Sequence, residues 1–175
     1  MKPELKQALD QARKLEMDGI EFYTQAAEGC GVLSGKRMFE SFAADERRHL
    51  RIITDLAEGI GVDVAGMPMP RDEIRTLFTE ATERLGDYVE ATSDESDAVR
   101  VAMGMEKESY DLYAGQAETA DDEAVRQLFE RLAREENQHY EMLENTIEYL
   151  TSNEEWFLWK EWALIVGDQS SLGTG

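Results

Sequence analysis

The chain has 175 residues and a formal net charge of −20, with 42% hydrophobic and 32% charged residues. That length forms one domain able to bury its own core. The charge excludes nucleic acid and an anionic membrane as partners, because phosphate binding needs clustered Lys and Arg. The single cysteine, Cys30, excludes an internal disulfide and makes a reducing cytoplasm the expected setting. No apolar run approaches membrane-spanning length, and the opening MKPELKQALDQ is too polar for a signal peptide.

Residues 3–29 read as an amphipathic helix. Pro3 suits its first turn, Leu5, Leu9, Ala12, Leu15, Gly19, Tyr23 and Ala26 recur at helical spacing, and Gly29 ends it. GCGVLSG then reads as a loop, and residues 36–58 as a second helix with Phe39, Phe42, Ala43, Ile53 and Leu56 on its buried stripe. GIGVDVAGMPMP is a Gly- and Pro-rich connection leading to a shorter helix over 71–90. TSDESD supplies the cap for a helix over 95–119, TADD is a turn, and the last long helix covers 122–150. Trp156, Trp159, Ala163 and Val166 share one face of an additional C-terminal helix, which we expect to pack on the bundle or on a second subunit. The expected organisation is a helical bundle over 1–151 (pairs 1–60 and 94–151, with a crossover and short helix over 61–93). A tryptophan-rich helix and tail follow over 152–175.

The second half repeats the first at an offset of 90 residues. Glu16, Glu46 and His49 become Glu106, Glu136 and His139, and these are the only two histidines. Tyr23 matches Tyr113, Ala27 matches Ala117, Phe39 matches Phe129, Glu40 matches Glu130 and Ala43 matches Ala133. Residues three apart on a helix project from one face, so each Glu-x-x-His presents its two side chains together. Gly31 lies midway between Glu16 and Glu46, and Asp121 midway between Glu106 and Glu136. In an antiparallel hairpin, each lone glutamate is therefore level with its Glu-x-x-His partner.

Four carboxylates and two imidazoles suit iron or manganese better than zinc, which prefers tetrahedral sites often built with thiolates. Two divalent ions would also cancel four negative charges, which a buried site requires. A lone Glu from each of two helices, with Glu-x-x-His from the other two, marks ferritin-like dimetal bundles. The expected fold is therefore an all-α, ferritin-like four-helix bundle with a long crossover connection. The expected cofactor is two iron ions, with manganese or a mixed pair as the alternative.

At LEMDGIEFYTQAA, FAADERRH, MEKESYDLYAGQA and LAREENQH the sequence closely resembles the ferritin-like domain of the rubrerythrin family, over about residues 4–60 and 94–150. The resemblance implies terminal ligands at Glu16 and Glu106, bridging carboxylates at Glu46 and Glu136, and one iron on each of His49 and His139. It implies reduction of hydrogen peroxide or oxygen with electrons from outside the diiron centre. Two departures stand out. Rubrerythrins usually carry a rubredoxin domain with four cysteines, so with Cys30 alone the electrons are expected from a separate carrier such as a rubredoxin-like protein. Where the family has an extra glutamate this chain has Ser109, leaving six ligands, as in oxidases and ferroxidases. A ferroxidase or iron-storage role is the alternative.

DERRH also resembles a diiron-oxygenase motif whose Asp orients a ligand histidine; Asp45 would do this here or belong to a charged surface turn. Tyr23 and Tyr113 fall on the ligand face, where they would hydrogen-bond the site or relay electrons, or simply fill the core. Gly19, one turn after Glu16, leaves space either for peroxide or for close helix packing. Helices ~40 Å long and the tryptophan face lead us to expect a homodimer.

Overall fold

A computed structural model describes residues 2–31, 33–61 and 93–151. They form four α-helices: α1 Pro3–Gly29, α2 Leu33–Ala57, α3 Ser93–Thr119 and α4 Glu123–Thr151. The bundle is all-α and ferritin-like. The expected helix over 71–90, the crossover and the tryptophan-rich segment lie outside the described residues. Among the described residues no helix is long and apolar enough to cross a membrane.

Local chemistry sets the ends of the helices. Pro3 starts α1, where its missing N–H costs nothing. The Cys30 N–H closes the helix on the Ala26 carbonyl at 2.9 Å. Asp122 caps α4, its Oδ1 accepting from the N–H groups of Ala124 at 2.9 Å and Val125 at 3.1 Å. Gly59, at φ 75°, takes the left-handed conformation after α2, and the Ile60 N–H returns to the Asp55 carbonyl at 2.8 Å.

One boundary corrects the sequence reading. GCGVLSG is not a loop throughout, because α2 starts at Leu33 rather than at residue 36. Gly35 lies inside the helix, where an added Cβ would come within 2.7 Å of Cys30 Sγ. It is there for a close approach, not for a turn. Cys30 is accordingly half-buried and packs against the core.

The helices pair as α1 with α2 and α3 with α4, and α1 also meets α3. Tyr23 touches Glu106 while Tyr113 touches Glu16, so α1 and α3 run antiparallel. Asp45 meets His139 while His49 meets Glu135, so α2 and α4 do too. With each hairpin antiparallel, α2 and α3 share a direction, as the two-hairpin ferritin arrangement requires.

The core divides into two apolar clusters. One holds Tyr23, Ala27, Met38, Phe39, Phe42, Ala43, Val99, Ala102, Met142 and Leu143. Every one of these ten has its counterpart, 90 residues away, in the other cluster (Leu9 for Val99, Leu128 for Met38, Leu132 for Phe42, Ile53 for Leu143). Each cluster therefore draws on both halves of the chain, which locks the hairpins together through burial worth about 1.5–3 kcal/mol for each large side chain. Between these clusters lies the polar centre.

Candidate metal centre

Glu16 on α1, Glu46 and His49 on α2, Glu106 on α3, and Glu136 and His139 on α4 are all buried, none more than 4% exposed. They fall into two groups whose ligand atoms lie within 4.8 Å of one another: Glu16, Glu46, His49 and Glu136, and Glu46, Glu106, Glu136 and His139. Glu46 and Glu136 belong to both.

The atoms show how the sharing works. His49 Nδ1 lies 3.4 Å from Glu46 Oε2 and 2.9 Å from Glu136 Oε1. His139 Nδ1 lies 3.5 Å from Glu46 Oε1 and 3.8 Å from Glu136 Oε2. Each shared glutamate thus turns one oxygen to each half. Glu16 Oε2 stands 3.5 Å from His49 Nδ1, and Glu106 Oε2 stands 3.5 Å from His139 Nδ1. The imidazoles are 6.1 Å apart between ring centroids.

Around this inner set is a crossed layer of support. The Tyr23 hydroxyl donates to Glu106 Oε1 and the Tyr113 hydroxyl to Glu16 Oε1, each across the boundary between halves. One oxygen of each terminal glutamate is thereby held, leaving the other facing the centre. The Nε2 atoms of the histidines point outward, His49 to Glu135 Oε2 at 2.8 Å and His139 to Asp45 Oδ2 at 3.3 Å. Carboxylates there hold Nε2 protonated and turn Nδ1 inward. Asp45 thus lies against the histidine of the opposite half.

Sequence reasoning missed Glu135, although the offset of 90 from Asp45 pointed to it. It also missed the arginines that hold this layer. Arg48 donates to Asp45 Oδ1 at 2.6 Å and to Glu135 Oε2 at 2.8 Å, and Arg131 Nε donates to Glu135 Oε1 at 2.8 Å. Nothing in the repeat announces them, because position 138 opposite Arg48 is Gln138 and position 41 opposite Arg131 is Ser41.

Burial and mutual repulsion set the protonation of the metal-free centre. Burial pushes the Glu16 carboxyl well above its usual range, with Glu46 adding to it. Burial likewise raises Glu106, reinforced by Glu136 and Glu46 against the pull of His139. Burial opposes ionisation of Glu46 too, yet the adjacent Glu16 and both imidazoles hold its carboxyl well below its usual range. For His49, burial is outweighed by Glu136 and Glu16, and for His139 by Glu106 and Asp45, so both imidazoles titrate well above their usual range. Without metal, protons are therefore favoured on Glu16, Glu106 and the two imidazoles over Glu46 and Glu136.

Metal fits the donor set better than protons do. Glu16 Oε2, both Glu136 oxygens and both Nδ1 atoms are buried without a hydrogen-bond partner, an expensive state unless a ligand completes it. All five atoms face the centre. Hard oxygen and imidazole donors without thiolate match iron or manganese.

Fold and centre together define a ferritin-like helical bundle with a buried carboxylate–imidazole cluster able to hold metal. The family model described as Rubrerythrin matches residues 7–147, and the chain belongs to the rubrerythrin family, which binds iron. Comparison with curated proteins and with solved structures gives no match.

Proposed function

We propose that the chain is a diiron oxidoreductase that reduces hydrogen peroxide or oxygen with electrons from a separate carrier. One iron would be held by Glu16 and His49, the other by Glu106 and His139, with Glu46 and Glu136 bridging both. The observation that carries this reading is the pair of shared glutamates, each with one oxygen toward either half. Bound iron would supply the two-electron couple. Peroxide takes up two electrons and two protons and leaves as two waters. The residues around the centre do the rest: Asp45 and Glu135 orient the imidazoles, Tyr23 and Tyr113 steady the terminal carboxylates, and the apolar clusters exclude bulk water.

Anaerobic mixing of reduced, iron-loaded protein with peroxide and, separately, with oxygen tests the proposal. Oxidation by peroxide at least ~10-fold faster than by oxygen is expected, a difference of about 1.4 kcal/mol in barrier. Equal rates, or faster reaction with oxygen, would favour the second reading, ferroxidase activity. That reading draws on Ser109, buried on α3 at the position where the rubrerythrin pattern has a further glutamate. A protein that takes up no iron would end both.

A further inference from the structure

A pocket of about 80 Å³ opens between α1 and α3. Its walls include Leu15 and Gly19 from α1 and Met105 and Ser109 from α3, and it reaches Glu46 and Glu106. Leu15 and Met105, like Gly19 and Ser109, are counterparts at the offset of 90, so the pocket straddles the axis that relates the halves. It does not serve them equally. Glu46 and Glu106 belong together only to the His139 group, while Glu16 and Glu136 do not line the pocket.

The Gly19–Ser109 pair accounts for the asymmetry. Glu46 lies against the bare backbone of Gly19, with its Cγ 3.2 Å from where a Cβ would stand. At 109 a Cβ and a hydroxyl occupy the equivalent place, and Glu136 does not line the pocket. On the scale where one water needs about 10–15 Å³, the pocket has room for several waters and admits small molecules. Asp18 and Glu108, both exposed, also line it; with the chain's charge of −20 they oppose the approach of anions.

On the diiron reading above, we infer that this pocket is the port through which a small uncharged oxidant reaches the metals. It delivers to the half floored by Glu106, and Ser109 sets its width. Nitric oxide, small and uncharged, is the probe. Its association with reduced, iron-loaded protein is followed by stopped flow in the wild type, Ser109→Leu, Met105→Ala and Gly104→Leu. The last adds the same bulk to α3 at a site with open space around it.

Ser109→Leu should slow association at least ~10-fold and Met105→Ala should speed it roughly threefold, with Gly104→Leu unchanged and iron content equal in all four. One equivalent of nitric oxide should alter the Mössbauer spectrum of half the iron. Rates within twofold across the set would overturn the port even if Ser109→Leu folds poorly, because Met105→Ala tests the same opening from the other direction. Equal change at both irons would overturn the one-sided delivery. Iron analysis stands apart from both, so a wild type without iron defeats the diiron reading and not the geometry of access.

Discussion

The two hairpins use the same residues at the centre and different ones immediately outside it. Glu, Glu and His recur at all three inward positions, and Tyr23 and Tyr113 reach across to the same atoms of opposite glutamates. The outer layer departs from this symmetry. Glu135 holds His49 at 2.8 Å and is itself gripped by Arg48 and Arg131, whereas Asp45, one methylene shorter, stands 3.3 Å from His139 and has Arg48. The inner set supplies the carboxylate and imidazole donors of a buried site able to hold metal. The outer set need only present an acceptor to each imidazole, which different residues can do, and so it can make the two metal positions unequal.

The strongest way to break the symmetry is to remove a shared ligand and compare it with an unshared one. Glu136→Ala should strip both metals, lowering bound iron to well under one ion per chain. Glu106→Ala should leave roughly one ion, in the Glu16–His49 half, since second-sphere losses alone cost 10–100-fold in affinity and a ligand costs more. Elemental analysis after desalting separates them. Equal loss from the two variants would show that the sharing of Glu46 and Glu136 has no consequence for binding.

Proton release comes next in size. Below their raised pKa values His49 and His139 are imidazolium, and Glu16 and Glu106 hold protons to unusually high pH. Metal requires these groups deprotonated, so filling the centre should release protons. Apparent affinity should therefore rise with pH and fall in acid. Calorimetry in buffers of different ionisation enthalpy counts the protons; release near zero would contradict the charged-histidine pattern.

The outer layer should sort by its anchoring. Glu135→Gln should weaken metal binding about 10–100-fold, and Asp45→Asn less, because Glu135 is the shorter and doubly clamped contact. Burial raises the Glu135 carboxyl, but His49 and Arg48 outweigh it and lower the pKa from 4.5 to about 2. A depressed acid stabilises the fold above its unfolded pKa, and that contribution disappears as pH falls through the folded value. In metal-free protein, urea midpoints should accordingly drop between about pH 4.5 and pH 2, and the drop should be smaller in Glu135→Gln. Parallel curves for wild type and variant would remove Glu135 as the anchor.

Much of this centre was legible because helical spacing converts directly into facing. Glu-x-x-His fixes two side chains on one face, and equal distances from Gly31 and Asp121 bring the lone glutamates level. The bracing layer was less legible. Asp45 was weighed against a surface turn, and Glu135 sits beside a ligand in a run of charges, where nothing local separates a buried carboxylate from a solvated one. Arg48 and Arg131 act between helices, and contacts of that kind leave no period in the sequence. Glycine misled at the first hairpin, where Gly35 looked like a loop residue and is a helical one that makes room for Cys30.

The smallest expected effect concerns Gly19, because two terms nearly cancel there. Replacing an interior helical glycine by alanine ordinarily gains about 1 kcal/mol from backbone entropy. Gly115, also within its helix, has nothing within 4 Å of an added Cβ, and Gly115→Ala should show that gain in full. At Gly19 the new methyl would stand 3.2 Å from Glu46 Cγ and 3.5 Å from its Cδ. The carboxylate would have to give by a few tenths of an ångström, a strain that offsets most of the gain. Metal-free Gly19→Ala should therefore melt within a degree or two of wild type while Gly115→Ala melts a few degrees higher. Iron affinity should fall in Gly19→Ala alone, since Glu46 is the group displaced. If Gly19→Ala gains stability like Gly115→Ala and keeps its affinity, Glu46 does not need the bare helix backbone, and the asymmetry of the halves must arise at Ser109.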